Sequence, residues 1–281
     1  MEREMLLVAK RIASKVNPRI KEWAGLADKK ERVRLGSTLA EGARLTAEGL
    51  DADESSLLKP VALIISDSGA ERPEAEELFV KAGEMGLERF NLSDECFGKI
   101  STLKNAEGIA LTMAFSEQPV DIVQLWAQEG AKWLVAAGVQ DPGNAGALAR
   151  TALAAGCTGC IYIDGADPLG PKFLRGSMGA AFRLPCLSVG LAEFVEAWPK
   201  VEADGVRLVV AATEDGVDFR RVRYDGKWGL VIGGEKGVPD GIDALPGEKI
   251  HIPLCGGAES LNLAVAAGII LFEAFRHKWT G

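Results

Sequence analysis

The chain has 281 residues, 47% hydrophobic and 26% charged, with a formal net charge of −8. This is globular composition with room for two modest domains, and its overall acidity lends no support to nucleic-acid binding by the field of the whole chain. No apolar run is long enough to cross a bilayer, and the N-terminus "MEREMLLVAKRIASK" is charged from its second residue, unlike a secretory signal, so a cytoplasmic protein without membrane contact is expected.

Helical periodicity marks residues 2 to 16, with Asn17-Pro18 as a stop, and again about 19 to 35 and 38 to 49. Residues 1 to 50 hold eleven Lys and Arg against seven acids. Such a local surplus is compatible with phosphate contact, although a solvated helix face is the commoner cause. "VALIISD" then reads as a buried strand, residues 74 to 85 as a helix, and "RFNLSD" and "GIALTMAF" as strands, which together make a small α/β unit. "SEQPVD", residues 116 to 121, lacks periodicity and carries a proline, so the expected domains are 1–117 and 118–281.

The second half alternates more regularly. "KWLVAAG", a helix at 143 to 155, "GCIYID", a helix at 172 to 178, "RLPCLSV", a helix at 191 to 199, "RLVVAAT", "WGLVIGG", "KIHIPL" and a last apolar helix follow in order. Alternation of this kind predicts a mostly parallel sheet covered on both faces, with ligands beyond the carboxyl ends of the strands. Three glycine-rich turns qualify there: "QDPGNAG", "IGGEKG" and "PLCGGAES". Neither G-x-G-x-x-G nor G-x-x-x-x-G-K-[ST] is present, and "GGEKG" leads into Val238-Pro239, so close backbone approach to a ligand is its expected use.

Five cysteines make no disulfide framework, and Cys157 and Cys160 form a lone C-x-x-C, with His251 and His277 distant in sequence. Reduced core thiols and no metal are expected. In "GGAESLNLAVAAGII" the run from Leu261 to Phe272 holds one polar residue, Asn262, and predicts a helix buried on every side. Ser260 suits its N-cap. Asn262, inside the first turn, then needs partners, which a ligand or a second subunit would supply.

"DPGNAGALARTALAAG" (141–156), "LVIGGEKGVP" (230–239) and "IPLCGGAESLNLAVAAGIILFEAFR" (252–276) resemble, in order and spacing, the three motifs of the SpoU/TrmH family of RNA ribose 2'-O-methyltransferases. "KFLRGSMGAAFRLP" (172–185) resembles the family's arginine-serine-glycine segment. The stretch from Asn17 to Leu50 looks more loosely like the family's separate RNA-binding domain. The resemblance implies an α/β catalytic domain with a C-terminal trefoil knot, an S-adenosylmethionine pocket in the knot, RNA as substrate (rRNA before tRNA) and a homodimer that buries the apolar helix against its copy.

At matching positions it implies that Thr213, Gly233, Ile252, Leu254 and Leu261 hold the cofactor, that Ser260 and Asn262 project toward the site, and that Arg175 and Ser177 contact RNA. Asn144 would orient the ribose. A guanidinium is effectively never deprotonated in proteins. Arg150 is therefore expected to reach across the dimer, bind the adjacent phosphate and stabilise negative charge developing on the 2'-oxygen, with Glu235 ordering Asn144 or Arg150 by hydrogen bonding. The second motif departs from the family pattern: Gly234 stands where asparagine is frequent, and the loop is one residue shorter. A non-catalytic RNA-binding assembly factor that keeps the knotted fold is the competing reading, and a nucleotide-dependent oxidoreductase lacks its glycine fingerprint.

Overall fold

The computed structural model describes residues 9–52, 56–115, 121–213 and 216–276. The chain divides into two compact units, one formed by Met1–Gln118 with Leu169–Arg183, the other by Pro119–Pro168 with Leu184–Gly281. The expected boundary at 117/118, His277 and the start of the expected 2–16 helix lie outside the described residues.

In the first unit, β1 (Lys10–Ile12), β2 (Ser37–Glu41), β3 (Lys59–Ser66), β4 (Glu88–Leu92) and β5 (Ile109–Ala114) form a sheet in the order β1-β4-β3-β5-β2. Strands β1, β4 and β3 are parallel, while β5 runs antiparallel to both β3 and β2. Helices Pro18–Gly25 and Asp94–Ile100 bury Ile20, Trp23 and Phe97 against Phe90 and Leu92, with the Trp23 and Phe90 rings edge-on at 5.1 Å. An edge-to-face aromatic pair of this kind adds about 0.5–1.5 kcal/mol beyond its buried area.

Three expectations fail in this unit, each for a local reason. Residues 10–12 are a strand, because parallel pairing with Phe90–Leu92 supplies hydrogen bonds that no periodicity announces. The 19–35 helix is two helices, Pro18–Gly25 and Lys29–Leu35, the second started by Asp28, whose carboxylate accepts from the backbone N–H groups of Lys30 and Glu31. Residues 37–41 are strand and not helix: Gly36 (φ 57°) closes the preceding helix and Gly42 (φ 106°) turns the chain into helix Ala43–Leu50. Only glycine adopts both conformations cheaply, so the pair brackets the strand.

The second unit holds β6 (Lys132–Ala137), β7 (Gly159–Ile163), β8 (Cys186–Val189), β9 (Arg207–Ala211), β10 (Val217–Asp218), β11 (Trp228–Gly233) and β12 (Gly247–His251). Their order is β10-β12-β9-β11-β6-β7-β8 and every pairing is parallel. Burial on both faces explains the unbroken apolar runs of β6, β7 and β11. One face carries Trp126, from the short helix Ile122–Ala127, packed with Trp133 and Trp198 at ring separations of 6.0 and 6.1 Å. Helix Leu191–Ala203 runs four residues past its expected end, with Pro199 inside it.

The final helix, Leu263–Ala274, buries Ala267, Ile270, Leu271 and Ala274 and packs on helix Pro142–Ala155. Its other side is open: Val265, Ile269 and Phe272 are 52%, 38% and 46% exposed, so within one chain it is not buried on every side. No helix among the described residues is long and apolar enough to cross a membrane.

Candidate active site

Because all strands of the second sheet point the same way, their carboxyl ends lie on one edge. The chain adds β7 and β8 on one side of β6, then places β11, β9, β12 and β10 on the other. Ligands in open parallel sheets sit at such a reversal of strand order. A cavity of about 720 Å³ opens there, lined from the ends of β9, β11 and β12, the loop 252–262 and the first turns of the helices at 142 and 263.

Its floor depends on a backbone turn. The N–H of Gly237 donates to the carbonyl of Gly234 at 2.9 Å, and the N–H of Gly234 donates to the carbonyl of Ala137 at 2.9 Å. A Cβ at Gly234 would lie 2.3 Å from the carbonyl oxygen of Gly138, and one at Gly233 would lie 2.5 Å from the carbonyl carbon of Gly237. No larger residue fits either position without moving backbone. The departure at Gly234 therefore has a steric cause, and the shortened loop closes as a four-residue turn with Glu235 and Lys236 at its tip.

Asp141 caps helix Pro142–Ala155, its carboxylate accepting from the backbone N–H of Asn144 at 2.9 Å. This holds Asn144 in the first turn, where it lines the cavity. Arg150 follows six residues later, about 120° around the helix. It is exposed, does not line the cavity, and has no hydrogen bond or ion pair among the described residues.

Thr213, Gly233, Ile252, Leu254 and Leu261 all line the cavity, as do Glu235, Ser260 and Asn262. Ser260 is not the N-cap. That place belongs to Asn262, whose Oδ1 accepts from the N–H groups of Ala264 (2.9 Å) and Val265 (3.4 Å). The asparagine thus finds backbone partners without a ligand. No hydrogen bond joins Glu235 to Asn144 or to Arg150 among the described residues.

Sequence reasoning missed two cavity acids. Glu259 stands beside Ser260, and Asp243 lies on the short helix Asp240–Asp243 with Lys249 Nζ 2.9 Å away. Nothing in the stretch from 239 to 248 signalled a site, because Asp243 reaches the cavity only through the placement of that helix. Among the described lining residues, Glu235, Asp243 and Glu259 are charged and none is Lys or Arg. The cavity therefore favours a cationic ligand.

The expected RNA contacts fare differently. Ser177 is fully buried, its hydroxyl donating to the carbonyl of Leu174 at 2.8 Å, so it offers nothing to RNA. Arg175 keeps a partly exposed side chain but is paired with Glu41. In the basic segment, Lys10 and Arg19 pair with Glu88, Arg11 with Asp67, Lys15 with Glu95 and Arg34 with Glu31, while buried Arg32 donates to the carbonyls of Leu26 and Ala27. Lys21, Lys29, Lys30 and Arg44 have no ion pair among the described residues. Cys157 and Cys160 are buried and in no disulfide, and burial pushes the Cys160 thiol well above its ordinary range. The described residues contain no group of three His, Cys, Asp or Glu able to hold a metal.

The SpoU rRNA Methylase family matches residues 132–272, and an MRM3-like substrate binding domain matches residues 17–111. The chain belongs to the SpoU family. It is 31% identical to the 23S rRNA (guanosine(2553)-2'-O)-methyltransferase RlmP of Bacillus subtilis, over 94% of this chain and 98% of the relative. It is 29% identical to a 23S rRNA (uridine(2479)-2'-O)-methyltransferase of Streptomyces viridochromogenes, over 97% and 94%. An AdoMet-bound rRNA methyltransferase from Sinorhizobium meliloti matches in structure with a TM-score of 0.79 and 30% identity, covering 96% of this chain and 98% of its own. As a SpoU methylase, the chain has all three family motifs converging on one acidic cavity.

Proposed function

We propose that this SpoU methylase transfers a methyl group from S-adenosylmethionine to a ribose 2'-hydroxyl of ribosomal RNA in the cytoplasm. The observation that carries the reading is the convergence of the motif residues at 144, 233–235, 252, 254 and 260–262 on one anionic cavity. About 720 Å³ suits a nucleoside-sized ligand, since small-molecule sites commonly span roughly 300–1,000 Å³. Glycine backbone at 233 and 234 lets a ligand approach closely, Ile252, Leu254 and Leu261 supply apolar surface, and the carboxylates of Glu235 and Glu259 favour positive charge, while Asp243 is paired with Lys249. Bound there, S-adenosylmethionine supplies an electrophilic methyl group on a cationic sulfonium.

The remaining work is placement, which accounts for much of the acceleration in group transfer. Asn144 at the cavity rim orients the ribose. Glu235, with no hydrogen-bond partner among the described residues, has oxygens available to accept the proton that the 2'-hydroxyl loses on methylation. Arg150 acts on the partner subunit's substrate in a homodimer, where its guanidinium stabilises charge on the 2'-oxygen without taking the proton. Two features support that arrangement: Arg150 is exposed and does not line its own cavity, and its helix packs on the one that exposes Val265, Ile269 and Phe272. An exposed apolar stripe of this kind marks a partner surface.

A trefoil knot in the C-terminal segment fits the strand order. After β12, beyond β9, the chain returns past the cavity to lay helix Leu263–Ala274 on the helix that follows β6. The first unit, expected as 1–117 from the sequence and completed by Leu169–Arg183, is the RNA-binding domain, with Lys21, Lys29, Lys30 and Arg44 as available phosphate contacts, and the second unit is catalytic. RlmP acts on a guanosine and the Streptomyces relative on a uridine, so the target base is found by experiment.

Calorimetric titration with S-adenosylmethionine and S-adenosylhomocysteine, followed by transfer of labelled methyl groups to unmodified 23S rRNA, tests the proposal. Saturable binding near one per subunit and alkali-resistant label at a single nucleotide are expected. Absence of binding by either ligand would overturn it and leave the assembly-factor reading.

A further inference from the structure

Residues Leu169–Arg183 lie inside the stretch that matches the methylase family, yet they pack as part of the first unit. The chain therefore passes between the units three times, after 118, 168 and 183. Three clips hold the segment. At its start, the fully buried hydroxyl of Thr38 donates to the carbonyl of Leu169 at 2.6 Å. At its end, Arg183 Nη2 pairs with Glu48 Oε2 at 2.6 Å.

The central clip is the most specific. Glu41 has a side chain only 1% exposed, and its carboxylate accepts from Ser101 Oγ (2.5 Å), the backbone N–H of Thr102 (2.9 Å) and Thr102 Oγ1 (2.7 Å). The Arg175 guanidinium lies 3.7 Å from the same carboxylate, and its Nη1 also donates to Thr102 Oγ1 at 3.0 Å. A buried carboxylate needs a cation or several donors to remain in the interior, and here it has both. Arg175 is thus engaged by protein through Nη1.

We infer that Arg175 is a positioning residue: with Glu41, Thr102 and Thr38 it latches the Leu169–Arg183 segment to the first unit, so that RNA captured by that unit is coupled to methyl transfer in the second. The inference rests on the functional reading above. It assigns Arg175 a role other than the RNA contact implied by the family resemblance. Small misplacements far from the reacting atoms are enough to cost turnover.

The test uses the full-length protein with Arg175→Ala, Arg175→Lys and Thr38→Val, the last an isosteric change that removes only the first clip. S-adenosylmethionine affinity and the affinity for unmodified 23S rRNA are expected to stay within about twofold, because neither site is touched. The slope of RNA affinity against salt is expected to be unchanged. The kcat for methyl transfer is expected to fall roughly tenfold to a hundredfold in Arg175→Ala and less in Thr38→Val, with partial rescue in Arg175→Lys. Faster amide exchange across 171–182 is expected to accompany the loss.

If RNA affinity falls in Arg175→Ala and the salt slope drops by about 0.7–0.9, the value for one lost phosphate contact, Arg175 is an RNA ligand and the latch is overturned. Faster exchange with undiminished turnover overturns the coupling as well. Should Arg175→Ala fail to fold, Thr38→Val and Arg175→Lys decide by the same readouts. A wild-type protein that binds RNA but methylates nothing removes the functional reading together with the coupling, whereas an active wild type with fully active variants removes the coupling alone.

Discussion

The two sheets use their residues in opposite ways. In the second unit the site gathers on turns: glycines at the end of β11, a capped first turn at Asn144, and the loop after β12. In the first, side-chain charge dominates, and much of it is spent internally, with Arg11, Lys10, Arg19 and Lys15 held by Asp67, Glu88 and Glu95. A net charge counted along the sequence overstates what such a surface offers to RNA. The comparison also shows why motif residues are sharp markers in one unit and weak ones in the other: a turn packed against backbone at Gly233 and Gly234 tolerates few substitutions, whereas a solvated ion pair tolerates many and is worth only about 0–1 kcal/mol.

Four changes sharpen or break that contrast. The largest effect is expected for Arg150→Ala, with kcat reduced about a hundredfold to a thousandfold and S-adenosylmethionine affinity unchanged, since the residue lies outside the cavity. Arg150→Lys retaining near-full turnover in the methyl-transfer assay would count against a bidentate role. Next comes Gly234→Ala. The added Cβ meets the Gly138 carbonyl, and overpacking of about 1–3 kcal/mol should weaken S-adenosylmethionine binding roughly tenfold to a hundredfold by calorimetry. Unchanged affinity would mean that the turn is not the cofactor floor.

A smaller change is expected for Asn262→Ala, which removes the cap of the last helix at a cost of about 1 kcal/mol in thermal or denaturant unfolding. Ser260→Ala is the control and should leave stability unchanged, because the structure gives Ser260 no capping bond. The smallest effect concerns acid. Asp67 is held below the usual carboxylate range chiefly by its hydrogen bonds from Arg11, Glu88 by Lys10, and Asp94 by the Ser68 hydroxyl. Groups depressed in the folded state stabilise above their ordinary pKa of about 4, and that contribution disappears as pH falls through the lowered values. Asp67→Asn should therefore flatten the acid-induced loss of amide protection in β1 and β4 while leaving β6 and β11 untouched. An identical acid profile in the variant would show that the pair contributes nothing.

Legibility follows the same division. The parallel strands of the second unit are continuous apolar runs closed by glycine turns, so both their positions and the convergence of their carboxyl ends were readable. Strand β2 was not: "STLAE" has no decisive period, and it is a strand because Gly36 and Gly42 bracket it and β5 offers an antiparallel edge. Strand β1, three residues long, exists only through its partner β4. At the site, the residues singled out on the motif turns, Asn144, Gly233, Glu235 and Ser260, reached the cavity, whereas Asp243 arrived through tertiary placement alone. Ser177 and Arg175 looked alike in sequence and part ways in space, one sealed in the core and the other tied to a carboxylate far away along the chain.

The triple passage of the chain also bears on how this protein can be cut or recombined. A fragment ending near residue 118 contains all five strands of the first sheet but lacks Leu169–Arg183. Glu41 would lose its cation, Thr38 would lose its acceptor, and Phe182 would no longer cover Gly49. Although the substrate-binding module looks like a detachable cassette in the sequence, its last structural piece is encoded inside its neighbour, so a cut near residue 118 divides one folded unit.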